Sequence, residues 1–387
     1  MNTVPSSALR LLFGAVAAAL ITGCASSSLP SSPVSTNSAA GMKTAPAHAK
    51  HSHWSFKPMF KVTRHKGSHV KAPAGSGLPL WNGSFVGTIP YFPTETYNFT
   101  MVGTDPATSN ATTTVPIEII PVEIRIGNTT YSPLKRLPGD TKTVLARTLD
   151  SPLFQKSVDF VQGGTNVGKT QYIDAFQRAN FWQNVQTNSS YHVLFKPTVA
   201  PTVKLKPVGA SATIINGVGM VDYVYFDSTV QSLISSLKVP ANTLPLFLAS
   251  GVYWTEFTDE CCIGGWHGSL SSNSAYAVGT YMPSTVNLPG GVSGFSQNVS
   301  ALSHELGEFM DDPITNNVVC GGYGILEVGD PLEGGPNFGS YPYTTNGFTY
   351  DLQDLVTLPY FGAPPSTSVN GWSTFQGQTL SPCSFGG

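Results

Sequence analysis

After Lys238 the chain contains no Lys and no Arg, and before Glu95 it contains no Asp and no Glu. These two absences divide a nearly neutral protein, formal net charge -2, into a basic N-terminal stretch and an acidic C-terminal region. The C-terminal region holds twelve acids and no cation, so it offers nothing to a phosphate backbone, and nucleic acid is excluded as a partner. Crowded carboxylates repel one another, and a bound divalent metal offsets them most directly. No uninterrupted apolar run reaches the length of a membrane-spanning helix, and no internal repeat is present. Cysteine is scarce, at five residues in 387.

The N-terminus carries one charge, Arg10, before the apolar run Leu11 to Ile21, which stops at Thr22-Gly23-Cys24. A short cationic region, an apolar core and small residues predict a secretory signal over 1–23. The ending Leu20-Ile21-Thr22-Gly23-Cys24 resembles a bacterial lipobox, which implies that Cys24 is lipidated and the protein exported and membrane-anchored. Ala25, rather than Asp, after that Cys implies the outer membrane. Residues 24–77, rich in Ser, Pro, Ala, Lys and His, read as a disordered basic tether. Five of the eight His lie in it, and its cations suit an anionic membrane surface.

The remainder divides into a β-rich part, 78–238, and a C-terminal part, 239–387. Thr113 to Ile126 is β-branched and alternating, a strand interrupted by Pro. Helical spacing marks 141–161 and 171–186. A strand is expected at Val218 to Phe226, a helix near Ser228 to Leu237, and an apolar strand at Ser274 to Met282. Gly163-Gly164-Thr165-Asn166-Val167-Gly168-Lys169-Thr170 fits the P-loop pattern, but the half-polar Phe154 to Gln162 before it is no buried strand. No nucleotide site is assigned; a glycine loop leading into a helix is expected.

The segment His304-Glu305-Leu306-Gly307-Glu308-Phe309-Met310-Asp311-Asp312 carries the chemistry. On a helix running from near Ser296 to before Pro313, positions i and i+4 share a face, so His304 and Glu308 can grip one cation. Glu305 can then hold a water and act as its base. Leu302, Leu306, Phe309 and Met310 mark the buried stripe, leaving His304, Glu305 and Glu308 facing outward. A hydrolytic site needs three protein ligands and an open position. Glu327, 23 residues beyond His304, is the third candidate, with Asp330 and Asp312 supporting the ligands from behind. His267, in a Gly-rich stretch, is a ligand or an oxyanion stabiliser. Cys261, Cys262, Cys320 and Cys383 form an even set with three possible connectivities. An adjacent pair would be strained, so Cys261 and Cys262 are each expected to reach Cys320 or Cys383.

His304-Glu305-x-x-Glu308 with Glu327 and Asp330 resembles the thermolysin-type zincins over about thirty residues. The wider chain is similar to the Exordium (phosphate-induced protein 1) family through Ser303 to Pro313, Glu327 to Asp330 and Cys261 to Gly268. These resemblances imply an α+β fold, a zincin-like mixed sheet with an active-site helix after a β-rich part. They also imply Zn2+ or another divalent metal and a peptidase acting on peptides or a cell-wall polymer. Glu308 stands where the zincin pattern has a second His. Two carboxylate ligands make the metal a weaker Lewis acid, pointing to slower hydrolysis or a harder ion. The alternative is a non-catalytic cell-surface or carbohydrate-binding protein on the same scaffold.

Overall fold

The run Leu244-Pro245-Leu246-Phe247-Leu248-Ala249-Ser250 is apolar at every step, as expected of a strand covered on both faces. It is a strand, Leu244–Ser250, buried throughout. In the computed structural model, which describes residues 55–64 and 77–383 except 157, 163, 188–189, 257–259, 287, 289–294, 322–323 and 336, this strand lies near the middle of the main sheet. Leu244, Leu246 and Leu248 enter one apolar core, and Phe247 and Ala249 enter another on the opposite face. Thr112–Ile126 alternates in the same way, with Ile117 and Ile119 on one side and Ile120, Val122 and Ile124 on the other. It runs through both of its prolines without a break.

Across the sheet the order is Ala212–Ile215, Val218–Asp222, Val252–Glu256, Glu260–Ser271, Ser274–Tyr281, Leu244–Ser250, Thr112–Ile126 and Thr129–Tyr131. Leu244–Ser250 is parallel to both neighbours, whereas Glu260–Ser271 and Ser274–Tyr281 are antiparallel. Strands from either side of Lys238 share this sheet.

A helix packs on each face. Asp222 caps Tyr223–Leu237 by accepting from the Tyr225 N–H at 2.7 Å, an interaction worth about 1 kcal/mol. That helix sends Phe226, Val230 and Ile234 against Trp254 and Trp266. The helix Ser300–Asp311 packs Leu302, Leu306, Phe309 and Met310 into the opposite core. It approaches closely because Gly265 and Gly279 face each other in the underlying strands. A Cβ at Gly279 would lie 2.7 Å from the Leu302 side chain, and one at Gly265 would lie 2.7 Å from Glu305 Oε1.

Several expectations are corrected. The α+β, zincin-like fold is not what the chain adopts: among the described residues strand outweighs helix, 41 % to 21 %, and the main sheet curls into a half-barrel. Five α-helices occur among the described residues. Only Val144–Asp150 of the expected 141–161 helix is helical, after a cap in which Thr143 Oγ1 accepts from Ala146 N–H. Val158–Gln162 and Thr165–Thr170 pair instead as an antiparallel hairpin, so the P-loop-like residues are largely strand. The Asp222 cap starts its helix early, turning Tyr223 to Phe226 from strand to helix.

Ser55–Arg64, expected within the tether, is a strand parallel to Glu260–Ser271. Its Phe60 joins a third apolar cluster with Tyr253, Cys261, Cys262 and Phe295, which accounts for its order. Cys24 and the signal segment lie outside the described residues. The disulfides are Cys261–Cys262 and Cys320–Cys383, not the cross-pairs expected. Cys261 and Cys262 sit in the third cluster while Cys320 belongs to the core under the helix Ser300–Asp311, so the two sets are kept apart.

Candidate metal centre

The helix Ser300–Asp311 is buried all round, so His304, Glu305 and Glu308 do not face outward. One flank meets the sheet and another is covered by Phe348–Gln353 and the segment around Glu327. Buried carboxylates demand partners, because desolvation of an unpaired charge costs several kcal/mol. Here the partners are imidazoles and other carboxylates.

His267 enters from the strand Glu260–Ser271, where alternation sends Trp266 to one face and His267 to the helix side. Its Nε2 is 3.2 Å from the Asp312 carbonyl oxygen at the end of the helix. A carbonyl only accepts, so Nε2 carries a proton, and in the neutral ring Nδ1 presents the lone pair. That Nδ1 faces Glu305 Oε2 at 3.4 Å, Glu308 Oε2 at 3.4 Å and Glu327 Oε2 at 3.9 Å. All four side chains are buried. Nδ1, both Glu305 oxygens and Glu327 Oε1 make no hydrogen bond.

The second imidazole, His304, lies with Nε2 at 2.9 Å from Glu308 Oε1 and 3.4 Å from Asp330 Oδ1. Phe60 stacks on its ring, centroids 3.5 Å apart. Gly329 closes the other side: a Cβ there would come 2.3 Å from His304 Nδ1. Gly329 N–H also donates to Glu308 Oε1 at 3.3 Å.

The expected ligands are therefore distributed over two groups. His267, Glu308 and Glu327 have ligating atoms close enough to share one ion, and so do His304, Glu308 and Asp330. His304 and Glu327, expected around the same ion, fall in different groups. Asp330 stands in a ligand position rather than behind one. Asp312 uses Oδ1 to accept from the Asn316 and Asn317 N–H groups, closing the helix, and contributes its backbone carbonyl to His267. Glu305 belongs to neither group of three and stays beside His267 Nδ1.

The electrostatics follow from burial and crowding. Burial opposes charge on His267, but the Glu327 charge and contacts with Glu305 and Glu308 outweigh it and favour the protonated ring, so a metal ion there would have to displace a proton. For His304 burial is likewise outweighed, chiefly by Glu308. Burial also opposes the Glu308 charge, yet the two imidazoles hold its carboxyl below the usual range. Glu327 is pushed well up by burial and by Glu308, and Glu305 upward by burial. A proton satisfies each imidazole only in part; a divalent ion is the stronger partner for the same atoms.

Glu333 was not singled out from the sequence, although it belongs to the cation-free acidic region. Its Oε1 is buried without a hydrogen bond, and burial with the Asp330 charge pushes its carboxyl up to about 8. Phe60 was missed because its surroundings read as tether. The remaining His outside that tether, His192, is held by Asp174 Oδ2 at 2.7 Å and belongs to the scaffold.

A cavity of about 920 Å³ lined by Asp140, Arg147, Tyr281, Asn298, Phe348 and Asp351 contains none of these ligands. It lacks the convergent imidazoles and carboxylates on which the chemistry depends. No protein-family model, curated protein or solved structure matches this chain.

Proposed function

We propose that the protein is an exported, lipid-anchored, metal-dependent hydrolase, with peptide bonds as its substrate class. The observation that carries this reading is His267 Nδ1, on a ring oriented by the Asp312 carbonyl and facing three buried carboxylates with no Lys or Arg among them. His267, Glu308 and Glu327 hold a divalent ion such as Zn2+. That ion supplies Lewis acidity and brings a water into reach. Glu305, beside the ligands but outside their group, takes a proton from the water as its oxygen adds to the carbonyl carbon. It returns that proton to the departing nitrogen as the C–N bond breaks. Substrate arrives from the side of Asp330, whose side chain is 36 % exposed while its imidazole partner is fully buried. Export and membrane anchoring through Cys24 rest on the lipobox-like Leu20 to Cys24.

The test compares Glu305→Gln with Glu308→Ala in protein purified without chelator, assaying bound metal and cleavage of a peptide library. Glu305→Gln is expected to keep metal and lose turnover by about 100-fold or more. Glu308→Ala is expected to lose both. Wild-type protein that binds no divalent metal sinks the reading; metal without turnover leaves a binding protein.

A further inference from the structure

We infer that the centre holds two divalent ions, with Glu308 as the carboxylate between them. This rests on the hydrolase reading for the ion at His267 and adds a second one at His304, Glu308 and Asp330.

The division of Glu308 is the starting point. Its Oε2 belongs to the His267 side at 3.4 Å, and its Oε1 to the His304 side at 2.9 Å. A carboxylate serving one ion would turn both oxygens, or only one, toward a single group of ligands. Here each oxygen has its own imidazole, and each imidazole its own further carboxylate: Glu327 on one side, Asp330 on the other.

The His304 group has the dimensions of a ligand set. Ligands held about 2.1 Å from one ion stand roughly 3.0–3.4 Å apart in octahedral or tetrahedral arrangement. His304 Nε2 is 2.9 Å from Glu308 Oε1 and 3.4 Å from Asp330 Oδ1. The ring is fully buried and neither nitrogen makes a hydrogen bond. It is also immobilised between Phe60 and Gly329, the only kind of residue whose lack of a Cβ leaves room for it. A clamped imidazole aimed at two carboxylates is a prepared ligand. Glu333, with a buried unpartnered Oε1 near Asp330 and His304, is available to complete the set.

Charge accommodates the same number, with the ions displacing protons that burial otherwise keeps on Glu305, Glu327 and Glu333. Glu305, Glu308, Glu327, Asp330 and Glu333 total five negative charges when ionised, against neutral imidazoles. One 2+ ion leaves -3 and two leave -1, the second far less costly in a buried cluster. Oxygen-rich sets with one imidazole each suit Zn2+ or Mn2+. The two positions differ in access. The His267 group is enclosed by buried side chains, whereas Asp330 reaches the surface, so the second ion would lie on the side from which substrate enters.

The experiment counts ions in the full chain, purified in detergent without chelator and equilibrated with Zn2+ or Mn2+. The wild type is expected to hold two per chain, His304→Ala and His267→Ala one each, and Glu308→Ala none. Asp330→Asn, a near-isosteric change at a partly buried position, should weaken one ion by tenfold or more and leave the other. The Mn2+-loaded wild type should give an exchange-coupled paramagnetic resonance spectrum, and His304→Ala the spectrum of an isolated ion. A wild type with one ion that survives His304→Ala and is lost in His267→Ala overturns the second site and leaves the hydrolase reading standing. No ion at all overturns both.

Discussion

His267 Nε2 lies 3.2 Å from the carbonyl oxygen of Asp312, the residue at which the helix carrying Glu305 and Glu308 ends. This contact joins the strand Glu260–Ser271 to the helix and decides which ring nitrogen faces the acids. A backbone acceptor selects the Nε2–H tautomer of the neutral ring, as the outer partners of metal-ligating imidazoles generally do. Its consequences are open to measurement.

Metal removal should destabilise the fold, because the ion offsets carboxylates that have no other cation. A ligand at 100 to 1,000 times its Kd adds about 3–4 kcal/mol. For a domain of this size that corresponds to about 5–15 °C in Tm. Scanning calorimetry at pH 7.5 before and after chelation should show that fall, reversed by added Zn2+. An unchanged Tm would contradict the metal centre.

Gly329→Ala tests the His304 clamp. Gly329 has φ -95° and ψ -36°, which any residue adopts, so the substitution brings no backbone strain. Its whole effect comes from a methyl group 2.3 Å from His304 Nδ1. We expect a stability loss of about 1–3 kcal/mol, typical of overpacking, and weaker metal binding. Gly265→Ala should displace Glu305 and also strain the sheet, because the added Cβ lies 2.8 Å from the Val278 carbonyl oxygen, lowering both kcat and stability. Wild-type values in both variants would show that neither contact matters.

The Cys320–Cys383 bond closes a span of 63 residues that includes Glu327, Asp330 and Glu333. Replacing both cysteines by Ala should cost about 2–4 kcal/mol, since the open chain regains loop entropy. Urea denaturation of the double variant under oxidising conditions measures this. A midpoint equal to wild type would mean that the bond adds nothing.

Asp354 should give stability a pH dependence outside the metal centre. Burial is the main influence and pushes its carboxyl up to about 7, although Leu355 and Gln376 N–H groups donate to Oδ1. The folded chain thus keeps a proton that the unfolded chain releases near pH 4. The stabilisation is complete below about pH 4 and disappears as pH rises through about 7. Asp354→Asn should flatten this slope and exceed wild-type stability at pH 8 by an amount on the order of a few kcal/mol. Equal slopes in the two proteins, by urea denaturation from pH 4 to 8, would exclude Asp354 as the source.

Much of the site is legible in the sequence because its parts are local. His304, Glu305 and Glu308 lie within one helical turn and a half, and the spacing alone places them together. The cation-free region implies an offsetting charge, and it includes Glu327, Asp330 and Glu333. Glu308's division between two imidazoles is not local. It depends on a strand about forty residues earlier and on a turn about twenty residues later. The helix Ser300–Asp311 shows the same limit, since its stripe of Leu302, Leu306, Phe309 and Met310 is apolar while the opposite face is equally buried. Periodicity identifies the apolar face; it does not reveal that a polar face is covered.

The fold was less legible. Ser274–Tyr281 is evident as a strand because a continuous apolar run needs cover on both faces, whereas Leu244–Ser250, equally apolar, was not assigned. Val158–Gln162 and Thr165–Thr170 were not, because a short hairpin has weak alternation and its pairing decides its state. Ser55–Arg64 reads as tether from composition and becomes a strand through a parallel partner some two hundred residues away.

The sequence by itself determined the chemistry available: an imidazole and two carboxylates on one helix, further acids downstream, and no Lys or Arg to neutralise them. Only the tertiary structure decided which imidazole meets which carboxylate. That choice depends on register, on Gly265 and Gly329 admitting the helix and a ring, and on a single backbone carbonyl orienting His267. Ligand identity is a property of composition, but ligand grouping is a property of distances below 4 Å, and those arise only when distant segments are packed together.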